Sequence, residues 1–143
     1  MAIKIDLRIK SKIENIYPAE REILNQASEL GYDGDACFCL RLAMDEALVN
    51  AIIHGNRNDQ QKNVRVIALC DDEKIAITVQ DEGDGFDQAL LVDPTKEPFL
   101  YKTSGRGVYL IQQFTHEIHF NDSGNSITFV VNKSHPPAVL QSR

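Results

Sequence analysis

The chain has 143 residues, of which 43% are hydrophobic and 25% are charged, the profile of one globular domain. A chain of this length buries roughly two thirds of its unfolded surface, so it can hold a core without disulfides or a structural metal. Its 15 basic and 21 acidic side chains give a net charge of −6. This balance argues against a basic surface that would bind nucleic acid or an anionic membrane.

Cysteine content and the start of the chain both bear on location. The three cysteines, Cys37, Cys39 and Cys70, are odd in number and form no C-x-x-C pair, which is typical of reduced thiols in a cytosolic protein. The start, MAIKIDLRIK, is neither a signal peptide nor a transit peptide, and no apolar run approaches the length of a membrane span. We therefore expect a cytoplasmic protein that binds no membrane.

Hydrophobic periodicity predicts a strand and two helices in the first part of the chain. Apolar and charged residues alternate over residues 3–10, which predicts a half-buried strand. A helix is predicted from about Pro18, a residue suited to a first turn, to Gly31, which ends it. The stretch from Ala36 to about His54 lacks Gly and Pro and carries a broad apolar face, so we predict one long central helix there.

The second part of the chain is predicted to be mainly strands and one long loop. β-branched runs at Val64–Cys70 and Lys74–Gln80 flank an acidic turn and predict a hairpin. Gly, Asp and Pro dominate residues 81–105, and we expect the part from about Gln88 to Ser104 to be a lid over a binding site. The remaining predicted elements are a helix at Val108–Phe114 and strands at Thr115–Phe120 and Ser126–Val131.

The order of these elements predicts the fold class. We expect an α/β (α+β) protein: a two-layer sandwich in which one mixed, largely antiparallel sheet carries about three helices on one face. The sequence has no internal repeat and no sign of a second domain. Residues 1–133 are therefore expected to form one domain, and residues 134–143, which contain Pro136-Pro137, are expected to be a disordered tail.

A first group of candidate site residues lies on the central helix. Glu46, Asn50 and His54 are spaced i, i+4 and i+8, so a regular helix would place them on one stripe. An Asn amide oxygen suits Mg²⁺, which keeps several waters and takes its other ligands from substrate phosphates. Four residues along a helix span about 6 Å, so Glu46 would lie near the end of a triphosphate whose metal is at Asn50. The alternative is the polar edge of an amphipathic helix.

A second group follows the second strand of the hairpin. Asp81 at the strand end can accept a hydrogen bond from an exocyclic amino group such as adenine N6, and it would repel the carbonyl that guanine has there. Gly83 and Gly85 would let the backbone approach a flat base. The order of acidic residues does not fit a calcium loop. An ordinary turn remains the alternative.

A third group is the glycine-rich segment before the last predicted helix. Gly105 and Gly107 lie where backbone N–H groups at a helix N-terminus would favour phosphate. The segment matches neither G-x-G-x-x-G nor G-x-x-x-x-G-K-[ST], so neither a Rossmann site nor a P-loop is indicated. A purely structural turn is the alternative.

The order and spacing of the three groups resemble one known ATP-binding domain. A helix carboxamide, a strand-end D-x-G-x-G, a lid and a G-x-G that opens a helix are together similar to the domain shared by gyrase, histidine kinases and MutL, the GHKL superfamily with the Bergerat fold. The segment Asn50 to Gly55, NAIIHG, preceded by Asp45-Glu46, resembles the N box of the anti-sigma-factor serine/threonine kinases. The resemblance covers about residues 3–131.

This resemblance implies a role for each matching residue. Glu46 would be the general base, Asn50 the Mg²⁺ ligand and Asp81 the carboxylate that recognises adenine. His54 would support the helix end or line the phosphate pocket. Gly83 and Gly85 would form the family's first glycine box, and Gly105 and Gly107 its second. Around the second box, the residues implied to contact ATP are Ser104, Arg106 and Val108. Solvated lid residues are the alternative for Ser104 and Arg106.

The implied function is a kinase that uses Mg-ATP to phosphorylate a Ser or Thr of an anti-sigma-factor antagonist, while also holding a sigma factor or another target. A nucleotide-gated binding switch with little or no transfer is the alternative. The catalytic domain of a two-component histidine kinase would need a helical hairpin with a phospho-accepting His, and His116 lacks that context. No nucleic acid is expected as a direct partner, and a homodimer remains open.

Overall fold

Five strands form one open sheet in the computed structural model, which describes residues 2–83 and 103–141, with the backbone alone at residues 103–106, 138 and 141. The strands are β1 (Ile3–Lys10), β2 (Asn63–Cys70), β3 (Lys74–Gln80), β4 (Glu117–Phe120) and β5 (Ser126–Asn132). Their order in the sheet is β1-β2-β3-β5-β4, and each pairing between these described strands is antiparallel. The predicted hairpin and the largely antiparallel sheet are confirmed.

The helices form the second layer of the sandwich. They are α1 (Ile16–Glu29), which follows a short 3₁₀ turn at Ile13–Asn15, then α2 (Gly34–Val49), α3 (Thr103–Phe114) and the one-turn α4 (Ala138–Gln141). α2 packs between α1 and α3 and against β3 and β5. Asp33 caps α2, because its carboxylate accepts a hydrogen bond from the Ala36 N–H at 2.9 Å. The predicted α/β two-layer sandwich is thereby confirmed.

The core lies between the inner face of the sheet and α2. Side chains at alternate positions of β2 and β3 are buried, as period-2 patterning requires. The largest fully buried side chains include Leu40, Met44 and Leu48 of α2 and Val66, Ile77 and Phe129 of the sheet. Within residues 2–83 and 103–141, no helix has the length and apolar character that a membrane span requires. The packing of α2 on β3 brings the end of this helix close to the end of that strand.

The central helix is not the regular α-helix that the sequence predicts as far as His54. Regular α-helix ends at Val49, and Asn50–Gly55 form a π-helical segment, in which the Asn56 N–H donates to the Ala51 carbonyl oxygen at 2.8 Å. A π-helical turn is wider, so it rotates the residues after Asn50 away from their α-helical positions. The regular i, i+4 spacing therefore ends at Asn50. His54 is exposed whereas Asn50 is half-buried, and both side chains still line one cavity.

Two further segments differ from the sequence-based expectation. α3 begins at Thr103, not at Val108, so Gly105 and Gly107 lie in the first turns of a helix and not before it. Glycine lowers helix propensity by only about 1 kcal/mol, which tertiary packing can offset. The tail that was expected to be disordered contains α4, and Leu140 of α4 packs against the core.

Candidate functional site

A cavity lies among the π-helical segment, the end of β3 and α3. Four of the residues that the sequence singled out line it together: Asn50, His54, Asp81 and Val108. Much of the remaining wall is small or apolar, with Ala47, Ala51, Val79, Ile111 and Ile127. A mainly apolar pocket with a few polar groups on its wall suits a flat organic molecule with polar edges.

Two glycines leave the space that the Asp81 carboxylate occupies. A Cβ on Gly55 would lie 2.2 Å from Asp81 Oδ2, and a Cβ on Gly83 would lie 3.1 Å from Asp81 Oδ1 and 2.0 Å from the Gly55 carbonyl oxygen. The Gly83 N–H donates to Asp81 Oδ1 at 2.7 Å. The two backbone segments come so close that neither residue 55 nor residue 83 could carry a side chain. The Asp81 carboxylate is therefore held in one orientation at the cavity wall.

The turn between β4 and β5 also contributes to the site, although none of its residues is among the candidates predicted from the sequence. The Asp81 N–H donates to the Asn125 carbonyl oxygen at 2.9 Å, and Asn125 Nδ2 donates to the Asp81 carbonyl oxygen at 3.3 Å. Asn125 and Gly124, which has φ +75°, line the cavity. A Gly-Asn pair indicates a turn, but nothing local indicates that the turn meets a residue 44 positions earlier.

Glu46 and Asn50 lie together beside Gly107 of α3. A Cβ on Gly107 would lie 2.9 Å from Asn50 Nδ2 and 3.0 Å from Glu46 Oε2. α2 and α3 thus approach closely at this glycine, and both polar side chains fill the space beside it. The structure brings the carboxylate and the carboxamide of the first group next to the second glycine box.

Both carboxylates of the site have perturbed acidity. Burial raises the pKa of Glu46, and the charge of the adjacent Asp45 raises it further. Burial also raises the pKa of Asp81, against the lowering effect of the Gly83 N–H and of Lys62. A carboxylate whose pKa lies above its ordinary value is a better proton acceptor, which a general base requires.

The donor set fits a magnesium ion that arrives with a nucleotide better than a resident metal. Among the residues that the structure describes, no group of three His, Cys, Asp or Glu side chains converges on a point. Mg²⁺ commonly takes one or two protein ligands and completes its shell with phosphates and water. The half-buried Asn50 amide at the cavity wall can supply one such ligand.

Some of the predicted site residues cannot be placed in this way. Gly85 and most of the predicted lid, residues 88–102, lie outside the described residues. Ser104, Gly105 and Arg106 belong to the first turn of α3, where the backbone alone is described. Their roles therefore stay predictions.

Comparison with known proteins agrees with the motif analysis. Residues 9–131 match the family described as "Histidine kinase-like ATPase domain". An anti-sigma F factor of Geobacillus kaustophilus is 26% identical over 140 residues, 94% of each chain, and one of Clostridium acetobutylicum is 29% identical over 136 residues, 91% of this chain and 92% of the relative. The serine-protein kinase RsbW of Listeria monocytogenes is 24% identical over 131 residues, 87% of this chain and 83% of the relative.

The family match covers most of the chain and includes all three groups of candidate residues. The same chain places Asn50, Asp81 and Val108 around one cavity. The chain belongs to the histidine kinase-like ATPase domain family, and within it resembles the anti-sigma factors and serine-protein kinases that its motifs indicated.

Proposed function

We propose that this protein is a Mg-ATP-dependent serine/threonine protein kinase that acts as an anti-sigma regulatory factor in the cytoplasm and phosphorylates an anti-sigma-factor antagonist. The observation that carries the proposal is the contact of Glu46 and Asn50 with the Gly107 position, beside a cavity whose wall includes Asp81. A base and a metal ligand thus stand next to each other, while a carboxylate suited to adenine lies on the same cavity wall as Asn50.

The nucleotide is proposed to lie in this cavity with its base toward Asp81. The carboxylate would accept a hydrogen bond from the adenine amino group, and apolar residues such as Val79 and Ile127 would pack on the ring. The phosphates would then extend toward Asn50 and the N-terminal turn of α3, where backbone N–H groups and the helix dipole favour an anion. Mg²⁺, held by Asn50 and the phosphates, would neutralise charge during transfer.

Glu46 is proposed to act on the incoming hydroxyl. The Ser or Thr oxygen forms a bond to the γ-phosphorus as the bond from that phosphorus to the β–γ bridging oxygen breaks, and ADP leaves. Glu46 accepts the hydroxyl proton as the new bond forms. The raised pKa of Glu46, caused first by burial, supports this role.

The partners are proposed from the relatives. The printed names of the Geobacillus and Clostridium proteins describe anti-sigma factors, and the Listeria protein is named a serine-protein kinase. We extend both activities to this chain, with a sigma factor as a second partner. Because most of these names mention no kinase, a nucleotide-gated binding switch is the alternative function.

The test is phosphotransfer from radiolabelled ATP to candidate antagonist proteins of the same organism. Glu46→Gln keeps the shape of the side chain and removes the base, so we expect ATP binding within a few-fold of native and transfer reduced roughly 10²-fold or more. Glu29→Gln, an exposed change on α1, is the matched control and should transfer like the native protein.

One outcome would overturn the kinase, and another would overturn only the role of Glu46. A native protein that binds ATP and an antagonist tightly but labels no Ser or Thr is a switch. Native rates in Glu46→Gln would show that another group takes the proton. Calorimetry with Mg²⁺ and with EDTA tests the metal, because equal ATP affinities in the two conditions would contradict a Mg²⁺ ligand at Asn50.

A further inference from the structure

A buried amide side chain lies directly after the π-helical segment and outside the residues assigned above. Asn56 is 1% exposed. Its Nδ2 donates to Ser11 Oγ at 2.7 Å and to the Asn63 carbonyl oxygen at 3.0 Å, and its Oδ1 accepts from the Glu82 N–H at 2.7 Å. Because Asn56 is almost fully buried, each of these bonds satisfies a group that would otherwise be unpaired.

The three partners of Asn56 come from three different strand ends. Ser11 follows β1, Asn63 begins β2, and Glu82 lies just after β3. Ser11 is itself 2% exposed, and its Oγ donates to the Lys62 carbonyl oxygen at 2.9 Å. The Asn63 N–H donates to the Glu82 carboxylate. The amide of Asn56 therefore ties the end of the π-helical segment to the loop that contains Asp81.

The backbone immediately after Asn56 makes a strained turn. Arg57 and Asn58 have φ values of 52° and 59°, in the left-handed region that residues other than glycine seldom adopt. The Asn58 N–H donates to the Ile52 carbonyl oxygen at 2.8 Å, and the Asp59 N–H donates to the Asn56 carbonyl oxygen at 2.9 Å. These bonds hold the turn and keep Asn56 at its buried position.

The hydrogen bond between Glu82 and Asn56 affects the cavity through Gly55 and Gly83. Asn56 follows Gly55, whose carbonyl oxygen lies 2.0 Å from the position of a Cβ on Gly83. The bond from Glu82 to Asn56 therefore fixes the loop after β3 where the Asp81 carboxylate fits beside Gly55. If this bond were lost, the Asp81–Gly83 loop could move away from Gly55, and Asp81 with it.

We infer that Asn56 is a positioning residue for adenine recognition: through the Glu82 amide it fixes the Asp81 carboxylate at the cavity wall. The inference rests on the proposed function for its nucleotide. The hydrogen-bond network that carries it is made entirely by residues of this chain, so it can be tested separately.

The experiment combines two measurements on the full chain. The first is amide hydrogen exchange at Glu82 and Gly83 without nucleotide, and the second is competition between ATP and GTP for binding. In Asn56→Ala we expect Glu82 exchange to accelerate about tenfold or more and ATP affinity to fall about tenfold, with GTP affinity unchanged. If circular dichroism shows that Asn56→Ala does not fold, Asn56→Ser makes the same test, because its hydroxyl is too short to reach the Glu82 amide.

Ser11→Ala is the matched control. It removes one buried partner of Asn56 but leaves the bond from Glu82, so we expect a loss of stability with native exchange at Glu82 and a native preference for ATP over GTP. A merely structural role for Asn56 would instead make the two variants alike. That result would overturn the inference.

The remaining outcomes separate the inference from the proposed function. Native exchange at Glu82 in folded Asn56→Ala overturns the inference whatever the nucleotide affinities are. An unchanged ATP preference in that variant overturns it and leaves the kinase proposal standing. Failure of the native protein to bind ATP overturns the proposed function and the adenine role together, whereas faster exchange at Glu82 would still support the network.

Discussion

The Asp81 carboxylate occupies the space in which residue 55 would carry a side chain, because a Cβ on Gly55 would lie 2.2 Å from Asp81 Oδ2 and 2.8 Å from Oδ1. The two residues belong to different elements, the π-helical segment and the loop after β3. Their contact connects the segment that resembles an N box to the predicted first glycine box, and it makes glycine necessary at residue 55 because no Cβ fits there.

We predict that Gly55→Ala displaces Asp81. Overpacking of this kind costs about 1–3 kcal/mol of unfolding free energy, and ATP affinity should fall by about tenfold or more, because a lost hydrogen bond to a buried base donor is of that size. Urea denaturation and calorimetry measure the two effects. Gly34→Ala is the control, since a Cβ there would meet nothing within 4 Å. Native ATP affinity in Gly55→Ala would contradict the prediction.

Gly107→Ala should separate stability from activity. The added Cβ would lie 2.9 Å from Asn50 Nδ2 and 3.0 Å from Glu46 Oε2, which are the ends of side chains that can shift. Alanine favours a helix over glycine by about 1 kcal/mol, so we expect Tm to be unchanged or raised. Mg-ATP binding and phosphotransfer should both fall, because the metal ligand and the base are displaced. Native activity in this variant would mean that neither Glu46 nor Asn50 takes part in the reaction.

Asp81→Asn should reduce the preference for adenine. The amide keeps the shape of the carboxylate but can present a donor in place of an acceptor, and the loss of a partner for a buried base donor costs about 1–3 kcal/mol of ATP binding. Competition between ATP and GTP measures the change. Asp72→Asn, an exposed position in the β2–β3 turn, is the control. Equal binding of ATP and GTP by the native protein would contradict the assignment of Asp81 to adenine recognition.

Glu20 on α1 should make stability depend on pH. Its side chain is 4% exposed, and Oε2 has no hydrogen-bond partner among the described residues. Burial raises its pKa to about 8, and the hydrogen bond to Asp45 and the charge of Asp45 add to this effect, against Arg41. Because the pKa of Glu20 in the folded state lies above its ordinary value of 4.5, the folded protein binds more protons between these two values. Stability therefore falls as pH rises through this window.

Glu20→Gln tests this dependence. A single proton gives a slope of at most about 1.4 kcal/mol per pH unit, and the variant should lose that contribution while its amide still donates to Asp45. Urea denaturation at a series of pH values measures the slope. The exposed change Glu29→Gln should keep the native slope. A slope that is the same in Glu20→Gln and native protein would mean that Glu20 is ionised throughout the window.

Local sequence patterns determined much of the fold. The alternation over residues 3–10 gave β1, the two β-branched runs gave the β2–β3 hairpin, and Gly31, with φ +87°, follows α1 as the helix stop signal required. These features depend on residues within a few positions of one another. Each of the three motif groups is also local, and their order along the chain was enough to indicate the ATPase family.

The tertiary structure decided the contacts between residues that lie far apart in the sequence. Glu20 lies on the apolar stripe of α1, three residues before Ile23, but only the packing of α1 on α2 buries it beside Asp45. The hydrogen bond between Asn56 and Ser11 joins residues 45 apart. The insertion of β5 between β3 and β4 brings Asn125 to Asp81. Periodicity tells which face of an element is apolar, but the partner of a buried polar group depends on how the elements pack.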